Sequence, residues 1–275
     1  MRIRISHAIS YDYAEPARQI TQILRLTPRD HDGQHVMSWR IEPSIDGRMR
    51  AAQDAHGNIV HSFYADGPIS SLAIRIDGLI ETTDLAGIVR GGLERVPCEV
   101  YRRDTLLTEQ DDAMRAFAEA AVAGTETPLA AMHALMAAVA ERMTWIDTTG
   151  RVGVGAVAAF EARDAIAQDI AHVFMACARH LGLPSRYVSG YVARNEALRH
   201  DDGAHAWAEV YLADYGWIGF DCANDICPID THVRVAVGLD FADAAPVRGA
   251  RQGGDGETLN VLVSARQAEG RQANQ

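Results

Sequence analysis

The chain has 275 residues, of which 48% are hydrophobic and 23% are charged. This composition is typical of a globular protein with one large domain or two small ones. The formal net charge is -11, which argues against a nucleic-acid partner because nucleic-acid affinity depends on neutralising phosphates. All 26 basic residues are arginine, so a Schiff-base lysine and a P-loop lysine are both excluded.

No stretch of the sequence is apolar over the length that a membrane-spanning helix needs, so we expect no membrane partner. The first residues, Met1–His7, alternate and lack the apolar core of a signal peptide, which predicts a cytoplasmic protein. Four cysteines in a chain of this length do not suggest a disulfide framework, so we expect free thiols. These cysteines are Cys98, Cys177, Cys222 and Cys227.

Short alternating runs separated by turn signals predict a β-rich N-terminal domain over residues 1–83. Stretches such as His31-Asp32-Gly33 and Asp66-Gly67-Pro68 supply the turns. We interpret this region as antiparallel and sandwich-like, with a linker over residues 84–107 after it. The predicted strands are Arg2–Ile5, Ile20–Leu26, Met37–Ile41, Asn58–Tyr64 and Leu72–Ile80.

The hydrophobic period becomes helical in the next part of the chain. Helices are predicted from Thr108, from Pro128 and over about Ala165–Leu181, where apolar residues recur at steps of three and four. The sequence therefore predicts an α+β fold with a core of helices on an antiparallel sheet over residues 108–264, and a polar tail over residues 265–275. The predicted strands of that sheet are Arg186–Val192, Ala204–Leu212, Gly216–Asp221, His232–Gly238 and Leu259–Val263.

The strand pair after the last long helix carries residues suited to catalysis. Alternation places His205 and Trp207 on one face of their strand, and a turn near Ala213 would place His205 opposite Asp221. An imidazole oriented by a carboxylate is two thirds of a nucleophile–His–Asp triad. The same spacing also fits a purely structural histidine–aspartate hydrogen bond, and spacing alone favours that interpretation.

Ordered motifs along nearly the whole chain resemble the bacterial transglutaminase-like superfamily. In the second half they are Gln168-Asp169-Ile170-Ala171-His172, Leu183–Tyr191, His205-Ala206-Trp207, Gly219-Phe220-Asp221, Cys227-Pro228, His232–Gly238 and Ala245–Gly249. In the first half they are His7, Tyr11, Tyr13, Pro16, Leu24–Arg29, Gln34 and Gly57-Asn58.

The resemblance implies a papain-like core with a Cys–His–Asp triad, and it assigns the histidine to His205 and the aspartate to Asp221. The family nucleophile is a cysteine at the start of the long helix, where the helix dipole lowers the thiol pKa. Here that position is Ala167, and a methyl group cannot attack a carbonyl. The resemblance also implies that Gln168 and Trp207 contact substrate.

Another thiol could replace the missing nucleophile only if it reached His205. Cys177 lies on the apolar stripe of the long helix and is expected in the core. Cys222 follows Asp221 directly and should point to the opposite face of a regular strand. A metal site built from Cys222, Cys227 and His232 lacks the tighter pairing and fourth ligand of zinc sites. We therefore expect no metal and no cofactor.

These residues favour an inactive transglutaminase-like protein that binds a peptide or protein partner, such as an active paralogue, in its retained cleft. One alternative is an active amide hydrolase, in which His205 and Asp221 activate water or Cys222 serves as a relocated nucleophile. Another is that Ala167 is an engineered replacement in a cysteine protease or transglutaminase. Because the preceding family glycine is also replaced, by Ala165, natural loss is the favoured interpretation.

Overall fold

Helices and antiparallel strands occupy largely separate stretches of the chain, which confirms the predicted α+β class. A computed structural model describes residues 1–146, 154–193, 198 and 203–268. The strands are β1 Arg2–Thr27, β2 Gln34–Pro43, β3 Arg48–Gln53, β4 Ile59–Thr82, β5 Ile88–Val89, β6 Thr144–Trp145, β7 Asp164–Ala165, β8 Ser185–Val192, β9 Gly203–Leu212, β10 Gly216–Phe220, β11 His232–Gly238, β12 Val247–Gln252 and β13 Glu257–Gln267. The α-helices are α1 Asp112–Val122, α2 Pro128–Arg142, α3 Ala156–Ala162, α4 Ala167–His180 and α5 Phe241–Ala244, and a 3-10 helix spans Cys98–Arg102.

Strand β1 joins two strands that the sequence predicts separately, Arg2–Ile5 and Ile20–Leu26. Its register against β4 shifts between Asp12 and Gln19. The buried positions are odd-numbered before this irregularity and even-numbered after it. An added residue in a strand reverses which face its later side chains occupy, so the two predicted strands face the core with opposite parity.

The long strands β1 and β4 lie side by side at the centre of a six-stranded antiparallel sheet. Two shorter strands, β2 and β3, pair with β4, and β12 and β13 pair with β1. The predicted strand Leu259–Val263 therefore belongs to this N-terminal sheet and does not complete the sheet of the core. The predicted domain limits of 1–83 and 108–264 stay a prediction. Strands β12 and β13, which fall in the predicted core and tail, form hydrogen bonds with β1 of the N-terminal region.

The second sheet has the strand order β11-β8-β9-β10-β5 and is antiparallel throughout. Helix α4 packs against this sheet, and Ile170, Phe174 and Cys177 are buried as the three- and four-residue period predicts. Every residue from Asp169 to Arg179 is also buried, so the helix is enclosed on all sides and not on one face alone. Helix α1 begins later than predicted, because Asp111 and not Thr108 accepts the capping hydrogen bond from the Met114 amide.

Two amide side chains of the N-terminal region bind the backbone of β11, which is an edge strand of the second sheet. Gln34 exchanges hydrogen bonds of 2.9 and 2.8 Å with the carbonyl and amide of Arg234. Asn58 does the same with Val237, at 2.7 and 2.8 Å. These side chains satisfy backbone groups that an edge strand otherwise leaves unpaired, and they fix the N-terminal sheet to the core.

Replacing Asn58 by alanine should therefore destabilise the protein strongly. Asn58→Ala leaves the amide and carbonyl of Val237 buried without these partners, so we expect the free energy of unfolding to fall by about 2–5 kcal/mol. The matched control is Asn260→Ala, because Asn260 is exposed on β13, and it should change stability by less than about 0.5 kcal/mol. Equal effects of the two variants in urea denaturation would contradict this role for Asn58.

Candidate functional site

His205 and Asp221 form a buried pair between β9 and the end of β10. The distance from His205 Nε2 to Asp221 Oδ2 is 2.7 Å. The predicted register is wrong by two residues, because Gly216 pairs with Leu212 and the hairpin is centred on residue 214. The contact still forms because the chain leaves β10 after Phe220 and Asp221 enters a turn, where its backbone pairs with Ile226.

The Asp221 carboxylate accepts hydrogen bonds from three side chains. Its Oδ2 lies 2.7 Å from His205 Nε2, 2.7 Å from Asn224 Nδ2 and 3.1 Å from His232 Nε2. Burial alone would raise the pKa of Asp221, but the two histidine rings outweigh burial and hold this pKa well below its usual range. Asp221 is therefore a fixed anion at neutral pH.

This anion determines which nitrogen of His205 carries the proton. Since Nε2 faces Asp221, neutral His205 holds its proton on Nε2 and has a lone pair on Nδ1. The ring is stacked on Trp207, with 6.3 Å between ring centroids, and Trp207 contacts His232 edge-on at 5.4 Å. The imidazole is thus held by packing as well as by hydrogen bonding.

Ala167 and His205 line the same cavity, which has a volume of about 310 Å³. Ala167 is the first residue of the 14-residue helix α4, so the amides of Ala167 and Gln168, which have no partner within the helix, lie at this cavity. Most of the remaining walls are apolar. The lining residues are Trp145, Ile146, Ile166, Ala167, Gln168, Tyr187, Ser189, Gly190, Ala204, His205, Ala206, Phe241, Pro246, Val261 and Val263.

The two residues predicted to contact substrate lie in different places. Gln168 lines the cavity beside Ala167, and its buried Nε2 has no hydrogen-bond partner among the described residues. Trp207 is buried and lines a separate cavity of about 50 Å³ together with His232. The structure therefore brings Ala167, Gln168 and His205 together and assigns Trp207 to the support of the two histidines.

None of the four cysteines, all of which lie in the described residues, lines the 310 Å³ cavity. Burial raises the pKa of Cys177 to about 12 and that of Cys227 to about 11. The pKa of Cys222 is raised well above its usual value by burial and by the neighbouring Asp221. Thiols with raised pKa are poor nucleophiles at neutral pH, which argues against Cys222 as a relocated nucleophile.

The sequence gives His232 and Asn224 no role, although both contact Asp221. His232 belongs to the motif His232–Gly238, but only the fold shows that β11 brings its ring beside β9 and β10. One atom each of His205, Asp221 and His232 could serve as a metal ligand, and these three atoms lie within 4.8 Å of one another in the described part of the chain. That group differs from the Cys222–Cys227–His232 set considered from spacing.

Glu209 ties the strand of His205 to the strand of His232. It accepts hydrogen bonds from Arg186 at 2.6 Å and from Arg234 at 2.7 Å. Burial would raise the pKa of Glu209, but Arg234 and Arg186 lower it to about 2. This buried ion network joins β9 to β11 across β8, which lies between them, and it fixes these three strands relative to one another.

The comparisons with known proteins agree with this geometry. Residues 115–222 match the transglutaminase-like superfamily core, and residues 3–81 match the bacterial transglutaminase-like N-terminal region. A crystal structure of a candidate cysteine protease from Cytophaga hutchinsonii superposes with a TM-score of 0.77 and 19% identity, over 98% of this chain and 91% of the other. The chain thus has a transglutaminase-like core and the fold of that protein.

Relatives similar over most of their length are uncharacterized proteins. One from Mycobacterium leprae is 28% identical over 95% of this chain and 97% of its own length. One from Mycobacterium tuberculosis is 27% identical over 90% of this chain and 87% of its own. Within the described residues, no helix combines the length and apolarity needed to cross a membrane.

His172 supports one wall of the cavity and should make the fold sensitive to acid. Its Nε2 accepts a hydrogen bond of 3.1 Å from the amide of Phe241, a lining residue, and burial lowers the pKa of His172 from 6.5 to about 3. The unfolded chain therefore binds more protons below pH 6.5, so this stabilisation is present above pH 6.5 and lost as the pH falls.

We expect His172 to contribute about 2 kcal/mol to the loss of unfolding free energy between pH 8 and pH 5. The variant His172→Gln keeps an acceptor for the Phe241 amide but cannot titrate. Its unfolding free energy should therefore change less between these two pH values, by about the same 2 kcal/mol. Identical pH dependence of the two proteins in chemical denaturation would contradict the buried neutral state of His172.

Proposed function

We propose that the protein is a transglutaminase-like pseudoenzyme that binds an amide group of a peptide or protein partner in the 310 Å³ cavity without cleaving it. One observation carries the proposal. Ala167, at the start of α4, lines the same cavity as His205, whose Nε2 lies 2.7 Å from Asp221. The cavity therefore contains an oriented imidazole, and the first residue of α4 contributes only a methyl group to it, from Ala167.

The polar groups of the cavity suit an amide. The amides of Ala167 and Gln168 at the start of α4 and Nε2 of Gln168 are donors for a carbonyl oxygen. Nδ1 of His205 is an acceptor for an N–H group. An amide supplies a carbonyl oxygen and an N–H side by side. An ester lacks the N–H, and a carboxylate lacks the N–H and also carries a negative charge.

The apolar walls favour a peptide or protein ligand over a small polar metabolite. Trp145, Tyr187, Phe241 and Val263 line the cavity around its polar end, which is the usual composition of a site that buries a side chain and orients it by a few polar groups. An active paralogue that presents such a segment is one partner of this kind. A cytoplasmic location stays part of the proposal.

The loss of catalysis follows from chemistry at one position. An acyl transfer through a thioester needs a thiolate within reach of the imidazole, and Ala167 has none. The alternative of a hydrolase with a different nucleophile is favoured by one observation, that His205 lines the cavity while Asp221 holds its Nε2, since a lone pair on Nδ1 could take a proton from water. An engineered loss of the thiol predicts the same geometry as a natural one.

The variant Ala167→Cys tests whether the machinery around the missing thiol is complete. We expect it to release ammonia from benzyloxycarbonyl-Gln-Gly, with or without an added amine, because His205 and Asp221 can activate a thiol at the start of α4. The wild-type chain should release none above the rate without protein. The control is Ala167→Cys combined with His205→Ala, which should lower the rate by at least about 100-fold.

Release of ammonia by the wild-type chain would contradict the pseudoenzyme proposal and support the hydrolase alternative. Iodoacetamide then separates two routes, since alkylation stops a reaction that uses Cys222 and spares one that uses water. If neither the wild-type chain nor Ala167→Cys reacts, the retained geometry does not suffice for this amide, and the choice of ligand class is contradicted.

A further inference from the structure

We propose that His232 is a positioning residue that fixes the Asp221 carboxylate against His205. This inference rests on the proposed function, because it concerns how the retained pair is held at the cavity. His232 Nε2 lies 3.1 Å from the same oxygen, Asp221 Oδ2, that His205 contacts at 2.7 Å. The side chains of all three residues are at most 2% exposed.

The surroundings of His232 determine where its proton lies. The amide of Ile229 donates to His232 Nδ1 at 3.3 Å, and the hydroxyl of Thr231 lies 3.2 Å from the same nitrogen. A nitrogen that accepts from a backbone N–H holds a lone pair, so neutral His232 carries its proton on Nε2. His232 therefore gives Asp221 an N–H donor, and it cannot accept a hydrogen bond from that side.

The same tautomer disfavours a metal ion in this group. A histidine that binds a metal through Nε2 must carry its proton on Nδ1, where it needs an acceptor. Here Nδ1 faces the donor N–H of Ile229 as well as the Thr231 hydroxyl, and a proton on Nδ1 would oppose that N–H. The contacts of 2.7 and 3.1 Å around Asp221 Oδ2 are those of hydrogen bonds, and their donors leave that oxygen no free lone pair for a cation.

The fold holds His232 itself from several sides. It is the first residue of β11, whose backbone is bound by Gln34 and Asn58 of the N-terminal region. The ring of Trp207 packs edge-on against it, and Trp207 also stacks on His205. The N-terminal region thus acts on the orientation of His205 through His232 and Asp221, without contacting the cavity at that point.

The proton position of His232 is tested on the unmodified chain. In long-range proton–nitrogen NMR spectra of protein with ¹⁵N-labelled histidines at pH 8, we expect Nε2 to carry a proton in both His205 and His232. The variant His232→Gln keeps an N–H donor near Asp221 and His232→Leu removes it. A bare Nε2 on His232 in the wild-type spectrum would overturn the proposal.

The positioning effect is tested in the Ala167→Cys background, where the new thiol reports on His205. Alkylation by iodoacetamide at pH 7, followed for each cysteine by mass spectrometry, measures how well His205 activates that thiol. Adding His232→Leu should slow its alkylation about tenfold, and adding His232→Gln should restore the rate to within about threefold. Alkylation of Cys98, which is partly exposed and does not line the cavity, is the internal control and should not change.

A purely structural role for His232 would lower stability and leave the alkylation rate of the folded protein unchanged, and that result overturns the proposal. A new thiol that reacts no faster than Cys98 would contradict the proposed function instead. The spectrum of the unmodified chain still decides the position of the His232 proton in that case, so the two failures are distinguishable.

Discussion

The hydrogen bonding of one buried carboxylate, Asp221, determines the arrangement of the whole site. Its Oδ2 accepts hydrogen bonds from His205 on β9, from Asn224 in the turn that follows β10, and from His232 on β11. A buried anion is tolerated only when donors of this kind surround it. Because three separate segments must meet at this oxygen, the carboxylate fixes both the position of the imidazole and the nitrogen that carries its proton. The molecule keeps this arrangement although the methyl group of Ala167 cannot attack a substrate carbonyl.

The N-terminal sheet contributes to the site through the backbone of β11. Gln34 and Asn58 bind that strand, Glu209 crosses to it through Arg234, and His232 begins it. The cavity is closed on one side by Val261 and Val263 of β13, which pairs with β1. Both sheets therefore contribute residues to the candidate site, which depends on contacts far apart in the sequence.

The sequence predicts the parts of this structure that local patterns determine. The helical period of α4 and the alternation of β9 and β11 are visible in the residues, and the motifs identify Ala167, His205 and Asp221. Three features could not be predicted. The pairing of β13 with β1 depends on tertiary contacts, since an apolar alternating strand fits either sheet. The register of the β9–β10 hairpin depends on its turn. Asn224 and His232 meet Asp221 only because the strand order places β8, β9 and β11 side by side.

The central claim is that the cavity binds an amide by hydrogen bonds and leaves it intact. The most direct measurement is an NMR titration of the wild-type chain with benzamide and with methyl benzoate, which carry the same aromatic ring. We predict shifts of the Ala167 and Gln168 amides and of the His205 ring with benzamide, and binding of the ester about tenfold weaker, because it lacks an N–H for Nδ1. Equal binding of the two compounds, or release of ammonia from benzamide, would contradict the account.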